Sequence, residues 1–355
     1  MSVLVELPLH ARTIAGKQAY LLTRAQLIQS GFTVNMITRR VSLGILVRVA
    51  RGVYDTLATP VAMRTTHWAR QQGWSPASGV MDHVRKRTAL IPVLAGGKSA
   101  ISVGIGALVL HGVHGAPQQY VGEAVVGADR RGPCPGARFR ECDLARDPVM
   151  KEGVRVAHIE DAMARAVLAL SGKPQGRNYA VSLMNDARHS RLITGQGMVA
   201  AQHITRGKRG CAAVHAWWDL ARADMESPAE TWGYLSLLDA GCEPDAVQLA
   251  LHDEQGLFMA RVDFAWLLPQ GQLMAVEIKG KDWHGLDQMV HDDMRLNQFA
   301  GAVEVLQYSG TQAMNGTVAK EMSWRLLRAG WRPGPKNFTK PFRVNRSVRH
   351  RPMVA

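Results

Sequence analysis

Three residues in the C-terminal third of the chain have the types and spacing for phosphodiester chemistry. Asp263 lies among apolar residues, and Glu277 and Lys279 follow two positions apart in a second apolar stretch. Residues two apart in a strand leave the same face, so an anion and a cation would stand side by side. A carboxylate buried without compensation is costly, and a hard cation would compensate it. The set predicts a Mg²⁺ (or Mn²⁺) site at Asp263 and Glu277, with Lys279 orienting the attacking water.

The elements that must position these residues form the order helix, three strands, helix, strand, helix. Ser227 caps the first helix, Pro228 occupies its first position, and the helix ends near Gly241. Turns at 253–256 and 269–271 separate strands predicted over 246–252, 257–266 and 272–279. A helix over about 287–299, a strand over 303–308 and a last helix to about Leu327 complete the predicted domain.

Two further residues are candidates for the same site. Glu230, on the first helix, could be a third metal ligand, but a capping box explains it equally well without a metal. His284 could act as a general base, with packing or hydrogen bonding beside Trp283 as the alternative. For Asp263 and Lys279 the alternative is a simple cross-strand ion pair.

This arrangement resembles the PD-(D/E)XK nuclease superfamily over roughly 226–327. Its motif is matched by Asp263 and by Glu277-Ile278-Lys279, with Glu230 in the place of the first-helix acid. More narrowly, the segment is similar to domains related to very-short-patch repair endonucleases, although Lys279 replaces an aspartate of their pattern. The resemblance implies a metal-dependent nuclease with catalytic residues Asp263, Glu277, Lys279, Glu230 and His284. It further implies an orienting role for Asp293 and a phosphate contact for Arg295.

The N-terminal segment is typical of a winged helix-turn-helix. Thr23 and Thr33 are good helix N-caps, and Gly31 between them suits a left-handed turn. On the second helix, Val34, Ile37 and Val41 are expected to face the core. A hairpin turning at Arg51-Gly52 would form the wing. The candidate DNA-binding residues are Asn35, Arg39, Arg40, Arg48 and Arg51.

Two segments of this region, Leu22-Thr23-Arg24 and Leu46 to Tyr54, resemble the AbiEi family of type IV antitoxin-like proteins. That resemblance implies a transcription-repressing, toxin-neutralising architecture, which is sometimes fused to the nuclease-like domain. It extends weakly into the central part of the chain. There, Ala95-Gly96-Gly97-Lys98-Ser99 ends like a phosphate-binding P-loop, but Pro92 stands where that motif needs glycine.

Composition favours a polyanionic partner. The 355 residues carry a formal charge of +14, and the segment after Glu321 contains many bases and no acid. No apolar stretch is long enough to cross a bilayer and no signal peptide is evident, so we expect a cytoplasmic protein. The four cysteines form no C-x-x-C pair, which argues against a zinc ribbon or a disulfide scaffold.

These observations predict an α/β (α+β) multidomain protein. We expect a winged helix-turn-helix over 16–60, a small α/β module over 65–166, a helical connector over 167–225, an αβββαβ nuclease-like domain over 226–330 and a basic tail over 331–355. The expected function is a DNA-binding, Mg²⁺-dependent endonuclease of phage or mobile-element defence or of DNA repair. The alternative is a transcription regulator or antitoxin with a non-catalytic nuclease fold. An RNA substrate, a toxin or other protein partner, and a homodimer stay open.

Overall fold

A computed structural model of the protein describes residues 7–57, 59–64, 79–127, 134–279, 302–336 and 342–343. The chain divides into two compact units, residues 1–221 and 222–355. This division lies close to the predicted start of the C-terminal domain at Glu226. The helix predicted over 287–299, with Asp293 and Arg295, and the neighbouring His284 lie outside the described residues.

The first unit begins with a winged-helix arrangement of three helices and a three-stranded antiparallel sheet. Its elements are α1 (Leu9–Lys17), β1 (Leu21–Thr23), α2 (Arg24–Gln29), α3 (Val34–Ser42), β2 (Val47–Ala50) and β3 (Val53–Asp55), with the sheet in the order β1-β3-β2. The predicted caps are confirmed, because Thr23 and Thr33 each accept a hydrogen bond from the third residue of their helix. Gly31 and Gly52 have φ of 91° and 73°, as the two predicted turns require.

The inward face of α3 differs from the prediction at one residue. Ile37 is buried and Val41 is half-buried, but Val34 is 46% exposed. Val34 is the first residue of the helix, next to its Thr33 cap, and the core beneath α3 is filled by Leu27, Phe32 and Ile37. The prediction for Val34 was therefore wrong, because periodicity does not say how far the core extends toward a helix end.

The central part of the first unit contains a five-stranded mixed sheet in the order β6-β5-β4-β8-β7. Its strands are β4 (Ile101–Val103), β5 (Gly122–Val125), β6 (Ala137–Arg140), β7 (Val149–Lys151) and β8 (Val154–Val156), accompanied by α4 (Val80–Gly96) and α5 (Gly104–His111). The segment Gly97–Ser99 joins a helix to a following strand. A P-loop runs from strand to helix, so this segment is not one.

Helices complete the first unit. They are α6 (Ile159–Leu170), α7 (Gly176–His189), α8 (Gly195–Thr205) and α9 (Cys211–Val214), followed by a 3-10 turn (His215–Leu220). An apolar stripe of Ile159, Met163, Val167 and Leu170 is buried in α6. The boundary placed between residues 166 and 167 falls inside α6.

The second unit is a mixed sheet with helices, in the predicted order as far as it is described. Its elements are α10 (Pro228–Asp239), β9 (Ala246–His252), β10 (Phe258–Leu267), β11 (Leu273–Lys279), β12 (Val303–Ser309), α11 (Gly310–Met314), α12 (Thr317–Arg328) and β13 (Phe342–Arg343). The sheet order is β12-β11-β10-β9-β13. Strands β9, β10 and β11 are antiparallel neighbours, whereas β12 is parallel to β11.

Part of the basic tail belongs to this sheet. Phe342 and Arg343 pair in parallel with Leu251 and His252 of β9. Trp331 is buried, and its indole nitrogen donates a hydrogen bond to Asp245 Oδ2 at 2.8 Å. The tail is therefore not a separate arm along its whole length. No helix in the described part of the chain is long and apolar enough to span a membrane.

Candidate functional site

Asp263 lies at the centre of a polar cluster where β9, β10 and β11 meet. The antiparallel pairing of β10 with β11 runs from Leu267 opposite Leu273 to Phe264 opposite Val276, so one further pair would set Asp263 opposite Glu277. At this point the Asp263 side chain replaces a backbone acceptor, since its Oδ2 accepts the Ile278 amide hydrogen at 2.6 Å. The strand register thus brings the two predicted carboxylates together.

Gln248 joins this cluster from β9, and its role was not foreseen from the sequence. Its Nε2 donates to Asp263 Oδ1 at 3.1 Å and to Glu230 Oε2 at 3.0 Å. The backbone of Gln248 is left-handed, with φ of 48°, although the residue lies inside a strand. Such a conformation costs free energy and is often found at functional sites. A polar residue inside the apolar strand Ala246–His252 was the available signal.

The electrostatics of Asp263 show that negative charge is crowded here. Burial, repulsion from Glu230 and, more weakly, repulsion from Glu277 raise the pKa of Asp263 to about 7, against the lowering effect of the Ile278 and Gln248 hydrogen bonds. A neighbouring ammonium that dominated the site would lower this pKa instead. The described contacts that hold the half-buried Asp263 carboxylate are the hydrogen bonds from Gln248 and from the Ile278 amide.

Glu230 combines a structural role with a position beside Asp263. It is buried, and burial raises its pKa. Its backbone amide donates to Ser227 Oγ at 3.1 Å, and its Oε2 accepts from the amide of Glu226 at 2.9 Å as well as from Gln248. These contacts show that Ser227 caps the helix, and that the Glu230 carboxylate accepts from the amide of Glu226, one residue before the amide that a capping box uses. They also place the carboxylate on the Asp263 side of the helix.

Glu277 and Lys279 occupy the predicted alternate positions of β11. Both are half-buried, whereas Val276 and Ile278 are buried. Glu277 Oε2 accepts a hydrogen bond from Gln307 Nε2 at 3.1 Å, and Gln307 lies opposite Glu277 in the parallel strand β12. Glu277 is thus positioned by a second glutamine, which sequence reasoning also missed.

The carboxylates of this cluster suit a hard cation that takes only a few of its ligands from the protein. Among the described residues, no group of three or more His, Cys, Asp or Glu side chains is arranged to hold a metal ion. Mg²⁺ does not need three, because it is usually bound through one or two carboxylates together with waters and substrate phosphate. The raised pKa of Asp263 fits such an ion, which would offset the repulsion between the carboxylates. Asp263 and Glu277 would hold it, and Glu230 would support them.

The predicted DNA-binding residues lie on the winged helix. Asn35 and Arg39 are exposed on α3, and Arg48 and Arg51 are exposed on β2 and in the wing turn. Arg40 differs, because it is half-buried and its guanidinium lies 4.6 Å from the centre of the Phe32 ring. We therefore assign Arg40 a packing role first. Its charge remains near the face formed by the other four residues.

His284 and Arg295 both lie outside the described residues, together with Trp283 and Asp293. Their proposed roles as general base and phosphate contact therefore stay predictions. The site described above consists of Asp263, Glu277, Lys279, Glu230 and the two glutamines.

Comparison with known proteins informs the N-terminal region. Residues 11–54 match a protein family described as "Transcriptional regulator, AbiEi antitoxin" (AbiEi_4). The matched segment begins within α1 (Leu9–Lys17), ends within β3 (Val53–Asp55), and so covers nearly all of the winged-helix arrangement. No curated protein and no solved structure matches the chain. The match covers only a small part of the chain.

Proposed function

We propose that this protein is a DNA-binding, Mg²⁺-dependent endonuclease whose active site is built on Asp263, Glu277 and Lys279. One observation carries the proposal: the fold brings the carboxylates of Asp263, Glu230 and Glu277 close enough for the other two to raise the pKa of Asp263, and Lys279 follows Glu277 by two residues on the same strand. The order of α10, three antiparallel strands and a parallel β12 supports a PD-(D/E)XK-type domain. A role in phage or mobile-element defence, or in DNA repair, would follow.

The chain's own residues would divide the work as follows. Asp263 and Glu277 would hold the ion, which when bound polarises the phosphoryl group and lowers the pKa of a water. Lys279, two residues after Glu277, would orient that water and offset the negative charge that develops at phosphorus. Gln248 fixes the Asp263 carboxylate, and Gln307 fixes that of Glu277. Such fixed geometry is what makes oriented charges effective in catalysis.

DNA would be held by parts of the protein outside this site. The exposed residues Asn35, Arg39, Arg48 and Arg51 would contact the duplex through the winged helix. The overall charge of +14 would strengthen binding in a salt-dependent way. The family match to a transcriptional regulator supports this part of the proposal.

The test is a nicking assay on supercoiled plasmid with purified full-length protein. We expect nicking with Mg²⁺ and none with a chelator, and a loss of at least about a hundredfold in Glu277→Ala and in Lys279→Ala. Glu254→Ala and Lys320→Ala are matched controls, because both side chains are exposed in the same unit. Nicking that persists in the first two variants would exclude the site.

A second candidate function is a transcription regulator or antitoxin in which the second unit only binds DNA or a partner such as a toxin. The family match over residues 11–54 favours it. The two candidates differ in what Arg39→Ala and Asp263→Asn affect. If the protein is a regulator, Arg39→Ala should abolish operator binding. Any Mg²⁺ binding should then be the same in the wild type and in Asp263→Asn.

A further inference from the structure

A cleft of about 590 Å³ opens between the winged helix and the central module, within the first unit. Four cationic side chains line it: Arg24 at the start of α2, Arg51 in the wing turn, Lys98 after α4 and Arg155 on β8. In the described part of the chain, none of the four forms an ion pair with a carboxylate, and no Asp or Glu lines the cleft. Four like charges around one cavity favour an anionic occupant.

The cleft also has an apolar surface. Val93 and Leu94 of α4 and Val154 of β8 line it and are buried, and the exposed Met150 lines it as well. Phosphates of a duplex backbone need charge and hydrogen-bond donors, not an apolar wall. A small organic ligand needs both, and its pockets usually have volumes of about 300–1,000 Å³.

The two walls of the cleft are fixed to each other. Asp55 of β3 forms a buried ion pair with Arg87 of α4, with 3.0 Å between Asp55 Oδ2 and Arg87 Nη1. Gln18, beside α1, donates from its Nε2 to the carbonyl oxygen of Glu152 at 3.3 Å, in the turn before β8. Because these contacts hold both walls in place, the cleft does not have to become ordered when a ligand binds, and less conformational entropy is lost.

We propose that this cleft binds a small organic phosphate of mononucleotide size. Its ring would pack on Val93, Leu94 and Val154, and its phosphates would contact Lys98 and Arg155 on one side and Arg24 and Arg51 on the other. Because Arg51 also belongs to the DNA-binding face of the wing, the bound ligand competes with DNA for that guanidinium. The cleft thereby couples a small phosphorylated molecule to DNA binding.

The test uses ATP as the probe, measured by calorimetry on the full chain in the presence of a chelator. The chelator keeps metal-bound ATP away from the proposed nuclease site, so the result does not depend on that site. We expect ATP to bind, and adenosine or tripolyphosphate alone to bind at least about tenfold more weakly, because each lacks one half of the contacts. Saturating ATP should also weaken binding of a DNA duplex.

Variants identify the cleft as the site. Lys98→Gln combined with Arg155→Gln should weaken ATP binding at least about tenfold, and so should Arg24→Gln on the opposite wall. Arg209→Gln is the matched control, an exposed arginine elsewhere in the same unit, and should leave it unchanged. Three outcomes would overturn the proposal: no ATP binding, tripolyphosphate binding as tightly as ATP, or cleft variants that weaken only DNA binding.

Discussion

Replacing Asp263 by asparagine should stabilise the metal-free protein and abolish its response to Mg²⁺. Burial and repulsion raise the pKa of Asp263 to about 7 from an ordinary value of 3.8. A group with a raised pKa in the folded state contributes stability below its unfolded pKa, and that stability is lost as the pH rises through the folded pKa. Metal-free wild-type protein should therefore lose stability between pH 3.8 and about 7.

The size of the effect follows from the shift. About three pKa units correspond to about 4 kcal/mol at a pH above both values, because one unit is about 1.36 kcal/mol. Asparagine offers one oxygen where Asp263 accepts from both Gln248 and Ile278, so one hydrogen bond worth about 1 kcal/mol is lost. Asp263→Asn should therefore raise the free energy of unfolding by about 1–3 kcal/mol at about pH 8.

The assay is urea unfolding at that pH, once with a chelator and once with excess Mg²⁺. Mg²⁺ should stabilise the wild type, because a ligand bound only by the folded state adds to stability, and should leave Asp263→Asn unchanged. Asp239→Asn, an exposed carboxylate of the same unit, should behave like the wild type. A variant less stable than the wild type in chelator would refute the crowding of charge at Asp263. Equal stabilisation of both by Mg²⁺ would refute its role as a ligand.

Three further predictions concern the first unit. In urea denaturation, Asp55→Ala should lower the free energy of unfolding by about 3–5 kcal/mol, because it leaves Arg64 and Arg87 buried without their shared carboxylate. The control Asp82→Ala, which breaks a more exposed ion pair, should lower it by about 1 kcal/mol or less. Burial lowers the pKa of His83 to about 3, so the free energy of unfolding should fall as the pH drops below 6.5, by up to about 2 kcal/mol at about pH 5. His83→Gln should remove this part of the pH dependence. If Arg39 contacts a phosphate, Arg39→Ala should weaken DNA binding and reduce the magnitude of the slope of log affinity against log salt concentration by about one. Fluorescence anisotropy measures both quantities, and an unchanged slope would exclude the contact.

The sequence predicted the strands around the site closely because local chemistry fixes their ends. Ser227 and Pro228 start α10 as expected, and the turn at Asp253 is made by its side chain, which accepts the amide hydrogens of Gln255 and Leu257. The strands then fall within one or two residues of their predicted bounds. Alternation placed Glu277 and Lys279 correctly because the period of two is a property of the strand itself.

What could not be predicted depends on contacts between distant segments. Gln248 meets Asp263 only through the pairing of β9 with β10, and nothing in its own neighbourhood requires a left-handed backbone. Gln307 meets Glu277 through a parallel strand that follows after a long connection. Arg40 was expected to face DNA, but the aromatic ring of Phe32 lies beneath its guanidinium. The periodicity of a sequence predicts which face of a helix or strand a side chain occupies, but it does not identify the residue that the side chain contacts.

The central claim is that Asp263, Glu277 and Lys279 form a metal-dependent nuclease site. The most direct measurement compares cleavage of end-labelled DNA and RNA by the wild type and by Glu277→Gln, with Mg²⁺ and with a chelator. The account predicts Mg²⁺-dependent cleavage of DNA that Glu277→Gln reduces by at least about a hundredfold, since it removes a ligand charge while keeping the side chain's size. Absence of cleavage in the wild type, or cleavage that Glu277→Gln leaves intact, would contradict it.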